Sequence, residues 1–184
     1  PWSEAWGDAK VLNRGVSGAK TAEIFQNIDY IIKGHPKELY LMVGTNDADS
    51  LDVILLKTRK ILSRISKKAP QTRVFLQTLL ASDVGKRSVG FIEECNRRLC
   101  EMARNEFPEV GIVDTYHAVT GIIEEENSCD RLHISAVAYK MWMEEIQRAG
   151  GMSGYEIQYD STCRGRDYAV GGSNGLRNSY FSHL

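Results

Sequence analysis

The fold is decided by residues 39–47, Leu-Tyr-Leu-Met-Val-Gly-Thr-Asn-Asp. The first five form an unbroken apolar run, which is typical of a strand buried on both faces of a parallel sheet. Gly44 ends the run, and Asn46 and Asp47 follow it closely. Ligands bind beyond the carboxyl ends of the strands in an open parallel sheet. The stretch therefore predicts a buried strand that carries polar side chains to a ligand-binding rim.

Helical and strand-like segments alternate around this stretch, which is the pattern of a parallel sheet covered by crossover helices. Apolar residues at three- and four-residue steps predict helices over 21–34, 51–67, 88–106, 117–125 and 135–147. Short strands are predicted over 10–13, 73–80 and 110–114. Thr21 and Ser135 are expected to cap their helices. The chain is therefore predicted to be an α/β domain over 1–149, with the pattern broken at Gly150.

Composition excludes several classes of protein. The chain has 184 residues, with 23 basic and 24 acidic side chains. This near-neutral balance provides no basic field for nucleic acid or an anionic membrane, and no apolar run approaches the roughly 18 residues of a membrane helix. The four cysteines lack paired CxxC spacing, and no cluster has metal-ligand spacing. We expect free thiols, no metal, no cofactor and a small polar or neutral ligand.

Three short islands carry groups that can converge on one rim. Residues 13–18 follow the first predicted strand, Asn46 follows the second, and Asp130 and His133 lie in a late loop. A carboxylate three residues before an imidazole can orient one ring nitrogen while the other faces a reacting hydroxyl. The backbone N–H of Gly18 and the amide of Asn46 are donors of the kind that an oxyanion hole needs. Together the islands predict an ester-hydrolysing site.

Each island also has a purely structural interpretation. Gly15 and Gly18 can turn the chain from strand to helix, and Asn46 and Asp47 can hydrogen-bond their own backbone. His133 can be an ordinary residue at a helix start. We favour the functional interpretation because three separate segments place these groups, in order, on the correct rim.

These islands resemble blocks II, III and V of the SGNH, or GDSL-like, esterase and lipase superfamily, with matching spacing over about 2–147. The resemblance implies a flavodoxin-like three-layer α/β sandwich with a parallel sheet. It also implies that Gly18 and Asn46 donate to the oxyanion, that His133 is the general base and that Asp130 orients it.

Block I of that family, a Gly-Asp-Ser-Leu-like segment on the central first strand, has no counterpart at the expected place, which lies before Pro1. We expect a frame cut across a tandem or permuted arrangement, or a nucleophile segment that is missing or disordered, rather than a protein that folds without this strand. Alternatively, residues 156–161 replace block I by permutation, with Ser161 as nucleophile. Two polar residues within 156–161 argue against a buried strand there. Ser17 is expected to stabilise its own loop, and His117 to line the rim without an acid partner at matched spacing.

The last part of the chain, 150–184, is rich in Gly, Ser, Asn, Arg and Tyr and has no sustained period. It is interpreted as a linker or arm, and residues 159–162 and 177–184 resemble the lead-in before the first strand of some bacterial members of the superfamily. The expected macromolecular partner is a following or permuted SGNH unit, or a second copy of the chain in a homo-oligomer. The residues indicate no compartment, whereas the resemblance favours a bacterial periplasmic or secreted protein.

The function that the resemblance implies is a metal-free serine acylhydrolase, with a small-molecule or glycan ester as substrate and carbohydrate esters preferred. Two other functions stay open. One is a catalytically inactive glycan-binding or scaffolding domain that keeps the fold. The other is a lysophospholipase or thioesterase, which would need a longer apolar groove.

Overall fold

The computed structural model describes residues 11–80, 88–120 and 134–152. Helices and strands alternate within these ranges. The helices are α1 (Thr21–Ile32), α2 (Leu51–Lys68), α3 (Val89–Glu106), α4 (Thr115–Thr120) and α5 (Ala136–Arg148). The strands are β1 (Glu38–Leu41), β2 (Arg73–Gln77) and β3 (Gly111–Val113). This alternation confirms the predicted α/β class.

The described strands form one parallel sheet in the order β1-β2-β3. Tyr40 pairs with Phe75, and Phe75 pairs with Gly111, so the three strands are aligned across the sheet. Because the strands are parallel, their carboxyl ends lie on one rim. That rim carries the residues that follow β1, β2 and β3.

The apolar run over 39–43 is buried as predicted. Every residue from Leu39 to Val43 has at most 5% of its surface exposed. Helix α2 covers one face, where Ile54 packs within 3.0 Å of the position that a Cβ on Gly44 would occupy. Helix α5 packs through Trp142, whose Nε1 donates to Oε1 of Gln77 at 2.6 Å in a fully buried contact.

The structure corrects the predictions for residues 11–13 and for the start of α1. Residues 11–13 form no strand with the described sheet, although Val11 and Leu12 are buried. Thr21 is the first residue of α1 rather than its cap. Ser135 does cap α5, since its Oγ accepts the Ala138 N–H at 3.4 Å. Apolar periodicity therefore located the helices, but not every contact at their ends.

In the described part of the chain, none of the helices combines the length and apolarity needed to cross a membrane.

Candidate functional site

Two of the predicted site residues, Gly18 and Asn46, belong to the described structure. Asp130, His133 and Ser161 lie outside the described residues, as does most of the predicted arm over 150–184. The described part of the predicted site is therefore its oxyanion side and the surrounding rim.

Gly18 lies in an exposed loop immediately before α1. The loop is built by local hydrogen bonds: the Gly15 N–H donates to Oδ1 of Asn13 at 2.8 Å, and the Ala19 N–H donates to the Val16 carbonyl at 3.0 Å. Gly18 has φ = +76°, in the left-handed region that favours glycine. A Cβ there would meet nothing within 4 Å, so backbone conformation, and not space, is the reason for a glycine.

Asn46 is half-buried and reaches this same loop. Its Nδ2 donates to the carbonyl of Ala19 at 3.2 Å. A side-chain amide is a donor of the kind that an oxyanion hole needs. The structure thus brings together the two segments that the sequence predicted to supply oxyanion donors, through the residue next to Gly18.

Asp47 forms a second link between the segment after β1 and the start of α1. Its Oδ2 accepts the backbone N–H of Thr21 at 2.9 Å and the Thr21 hydroxyl at 2.6 Å. The Asp47 N–H closes a turn onto the Gly44 carbonyl at 3.2 Å. Asp47 was expected to have only a local turn role, but its carboxylate reaches a residue 26 positions away. Local spacing contains no signal for that pairing.

Lys57 of α2 adds positive charge behind this loop. Its Nζ lies 2.5 Å from Oδ2 of Asp49 and 3.7 Å from Oδ1 of Asp47. The hydrogen bond from Lys57 lowers the pKa of the Asp49 carboxyl, and the same bond raises the pKa of Lys57. Both groups are therefore charged at neutral pH.

A described acid–imidazole pair lies farther along the rim, after β3. Nδ1 of His117 is 2.7 Å from Oδ2 of Asp114, and Oδ1 of Asp114 is 3.3 Å from the Thr78 hydroxyl. The expectation that His117 lacks an acid partner is wrong. The signal was present in the sequence, because Asp114 stands three residues before His117, the same spacing as in the later pair. With strands about 4.8 Å apart, the ends of β1 and β3 are separated by about 10 Å.

A cavity of about 420 Å³ adjoins the Gly18 loop. It runs between α1 and β1 and is lined mainly by apolar side chains, including Ile24, Ile28, Leu39 and Leu41. The cavity lies beside the first described strand, and Gly18 is part of its wall.

The described residues offer no group of three or more His, Cys, Asp or Glu side chains arranged to hold a metal ion. Cys95 and Cys100 are free thiols. Burial raises the pKa of the Cys95 thiol to about 12. A thiol with such a pKa is a poor nucleophile at neutral pH.

Comparison with known proteins supports the predicted relationship. The model of the GDSL-like lipase/acylhydrolase family matches residues 2–141. No curated protein matches the chain.

Solved structures show the same fold. A Streptococcus pneumonia protein provisionally described as a platelet activating factor is 23% identical, with a TM-score of 0.71 over 80% of this chain and 76% of that one. A Geobacillus acetyl-xylooligosaccharide esterase is 17% identical, with a TM-score of 0.64 over 77% and 72%. A carbohydrate esterase of family 3 from Talaromyces cellulolyticus is 20% identical, with a TM-score of 0.62 over 73% and 67%. By the match over residues 2–141, the chain belongs to the GDSL-like lipase/acylhydrolase family.

Proposed function

We propose that this chain is a serine-type carboxylic ester hydrolase in which Gly18 and Asn46 bind the oxyanion. His133 is the general base, and Asp130 orients it. Family membership supports the reaction class. The observation that carries the donor assignment is the 3.2 Å hydrogen bond from Asn46 to Ala19, which puts the amide beside Gly18 on the rim.

In the proposed reaction a serine hydroxyl attacks the ester carbonyl while His133 takes its proton. The carbonyl oxygen becomes an oxyanion, which accepts hydrogen bonds from the Gly18 N–H and the Asn46 amide. Collapse of this intermediate breaks the bond to the alcohol, and His133 returns the proton to the leaving alkoxide. A water molecule, deprotonated by His133, then attacks the acyl-serine. The bond from the acyl carbon to the serine oxygen breaks, His133 returns the proton to that oxygen, and the acid is released.

The nucleophile has two candidate sources. One is Ser161, acting from a permuted segment over 156–161. The other is a serine from outside these 184 residues, in a tandem or permuted arrangement. We propose the hydrolase domain over 1–149, with 150–184 as a linker or lead-in arm.

Carbohydrate esters are the proposed substrates. Two structures that share the fold are esterases of acetyl-xylooligosaccharide and of carbohydrate, respectively. The second candidate is a lysophospholipase or thioesterase, which is favoured by the apolar walls of the 420 Å³ cavity beside Gly18. A chain that keeps the fold without turnover would instead be a glycan-binding or scaffolding domain.

Labelling of the whole chain with a fluorophosphonate probe, followed by peptide mapping, tests the serine mechanism. The same labelling is carried out on the longer natural protein. A labelled Ser161 identifies the nucleophile, a labelled serine outside these 184 residues identifies the other source, and no label on any serine of either protein assigns the chain to the non-catalytic class. Turnover of acetyl and long-chain nitrophenyl esters then separates the two substrate classes.

The donor assignment is tested by Asn46→Ala. Removal of one oxyanion donor is expected to lower kcat by about 10²–10³-fold. Asn105→Ala is the control, because Asn105 is an exposed asparagine in the last turn of α3 and does not line the cavity beside Gly18. Equal activity of the two variants would contradict the assignment.

A further inference from the structure

The buried carboxylate of Asp47 joins two loops that are far apart in the sequence. Its side chain is fully shielded from solvent. It accepts two hydrogen bonds from Thr21, from the backbone N–H at 2.9 Å and from the hydroxyl at 2.6 Å. Burial of a carboxylate is unfavourable unless such bonds replace those to water. The pair is therefore a specific feature of the fold rather than an incidental surface contact.

The start of a helix and an ammonium group face the Asp47 side chain. Thr21 is the first residue of α1, where helix N–H groups point outward and the helix dipole stabilises negative charge. The ammonium of Lys57 lies 3.7 Å from the second oxygen of Asp47. Asp47 can therefore hold the start of α1 firmly.

Each partner in this pair lies next to a proposed oxyanion donor. Asp47 directly follows Asn46, and Thr21 is three residues after Gly18. Between them, the Asn46 amide donates to Ala19 at 3.2 Å. The two loops are thus held at two points, and a shift at Asp47 changes the separation of the Gly18 N–H from the Asn46 amide.

We infer that Asp47, acting through Thr21, is a positioning residue that sets the separation and orientation of the two oxyanion donors. It does not touch the reacting atoms. The inference rests on the proposed function, because the donors it positions are those assigned above. A misplaced donor weakens binding of the transition state more than binding of the substrate, so the expected defect is in kcat.

The test uses Thr21→Val in the full chain, because valine has nearly the shape of threonine and keeps the backbone N–H. Thr58→Val is the matched control. Thr58 is also fully buried, and its hydroxyl donates to the Ile54 carbonyl at 2.9 Å inside α2. Thr21→Ser, which keeps both donors, is the rescue variant, and Asp47→Asn removes the charge while keeping the shape.

Two readouts are compared. Amide NMR spectra recorded without substrate are expected to show displaced Gly18 and Asn46 side-chain signals in Thr21→Val and Asp47→Asn, and unchanged ones in Thr58→Val and Thr21→Ser. For turnover, Thr21→Val is expected to lower kcat about tenfold with KM within about twofold, as for an interaction made mainly in the transition state.

Unmoved Gly18 and Asn46 signals in Thr21→Val would overturn the inference, as would the same displacement in Thr58→Val. A wild-type protein that carries both candidate nucleophiles and shows no turnover would refute the proposed function alone, because the substrate-free spectra still decide whether Asp47 sets the two donors. If Asp47→Asn does not fold, the two Thr21 variants decide the question.

Discussion

Gly111→Ala in β3 is predicted to destabilise the protein through contact with one ring. A Cβ at this position would lie 2.6 Å from Cδ1 and 2.8 Å from Cε1 of Phe75, far inside an ordinary carbon contact of about 3.5–4.0 Å. The ring has little room to move, because it stacks on Tyr40 at 5.0 Å and has the Arg73 guanidinium 5.1 Å from its centroid.

Two effects of opposite sign decide the magnitude. Overpacking costs about 1–3 kcal/mol, while replacing glycine within a strand returns about 0.5–1 kcal/mol of backbone entropy. The cost of overpacking is the larger effect. We therefore expect the free energy of unfolding to fall by about 1–2 kcal/mol, which lowers Tm by about 5 °C for a chain of this size.

Urea unfolding followed by tryptophan fluorescence measures this loss. Gly90→Ala is the control, since a Cβ at Gly90 in α3 would meet nothing within 4 Å and alanine favours a helix. The control is expected to be as stable as the wild type or more so. Adding Phe75→Leu to Gly111→Ala should recover part of the loss, giving a coupling energy between the two sites. A Gly111→Ala protein as stable as Gly90→Ala would refute the reasoning.

Three further predictions follow from the described contacts. The pKa of the Asp29 carboxyl is lowered from 3.8 to about 2, mainly by a hydrogen bond from Arg64. Near this pH the folded state binds fewer protons than the unfolded state. The resulting contribution to stability is therefore present above about pH 4 and is lost as the pH falls toward 2. An NMR titration should show the pKa of Asp29 rising in Arg64→Met, and an unchanged value would contradict the assignment. Burial raises the pKa of the Cys95 thiol to about 12, so iodoacetamide at pH 8 should modify Cys95 only after the protein unfolds. If the folded protein reacted as fast as a small free thiol, the Cys95 thiol would not be buried. Trp142→Phe leaves the buried Gln77 oxygen without its 2.6 Å donor and is expected to cost about 1–3 kcal/mol in urea unfolding, whereas adding Gln77→Leu should reduce the loss; equal losses in the single and double variants would argue against the hydrogen bond.

Much of the fold was predictable because its signals are local. The apolar run of residues 39–43 indicated a strand buried on both faces, and the structure confirms that burial. The strand predicted over 73–80 ends at Gln77 in the structure, since an apolar run continues into the rim without marking where pairing stops. Within the strand predicted over 10–13, the described residues 11–13 do not pair with the described sheet. Strand pairing depends on a partner elsewhere in the chain, which a local pattern cannot identify.

The same distinction between local sequence signals and long-range contacts applies to the candidate site. Gly18 and Asn46 were located from the positions where predicted strands end, and the hydrogen bond through Ala19 is consistent with that placement. The pairing of His117 with Asp114 was readable from a three-residue spacing, because both residues belong to one turn after β3. Asp130, His133 and Ser161 remain predictions.

By itself the sequence determined the α/β class, the family resemblance and the rim on which polar groups gather, because apolar periodicity and the order of strands are properties of neighbouring residues. Only the tertiary structure decided that Asp47 bonds to Thr21 and that Asn46 bonds to Ala19, across 26 and 27 positions. Which donor a buried carboxylate meets depends on how helices and strands pack in space, and that packing is set by the whole core rather than by the residues on either side.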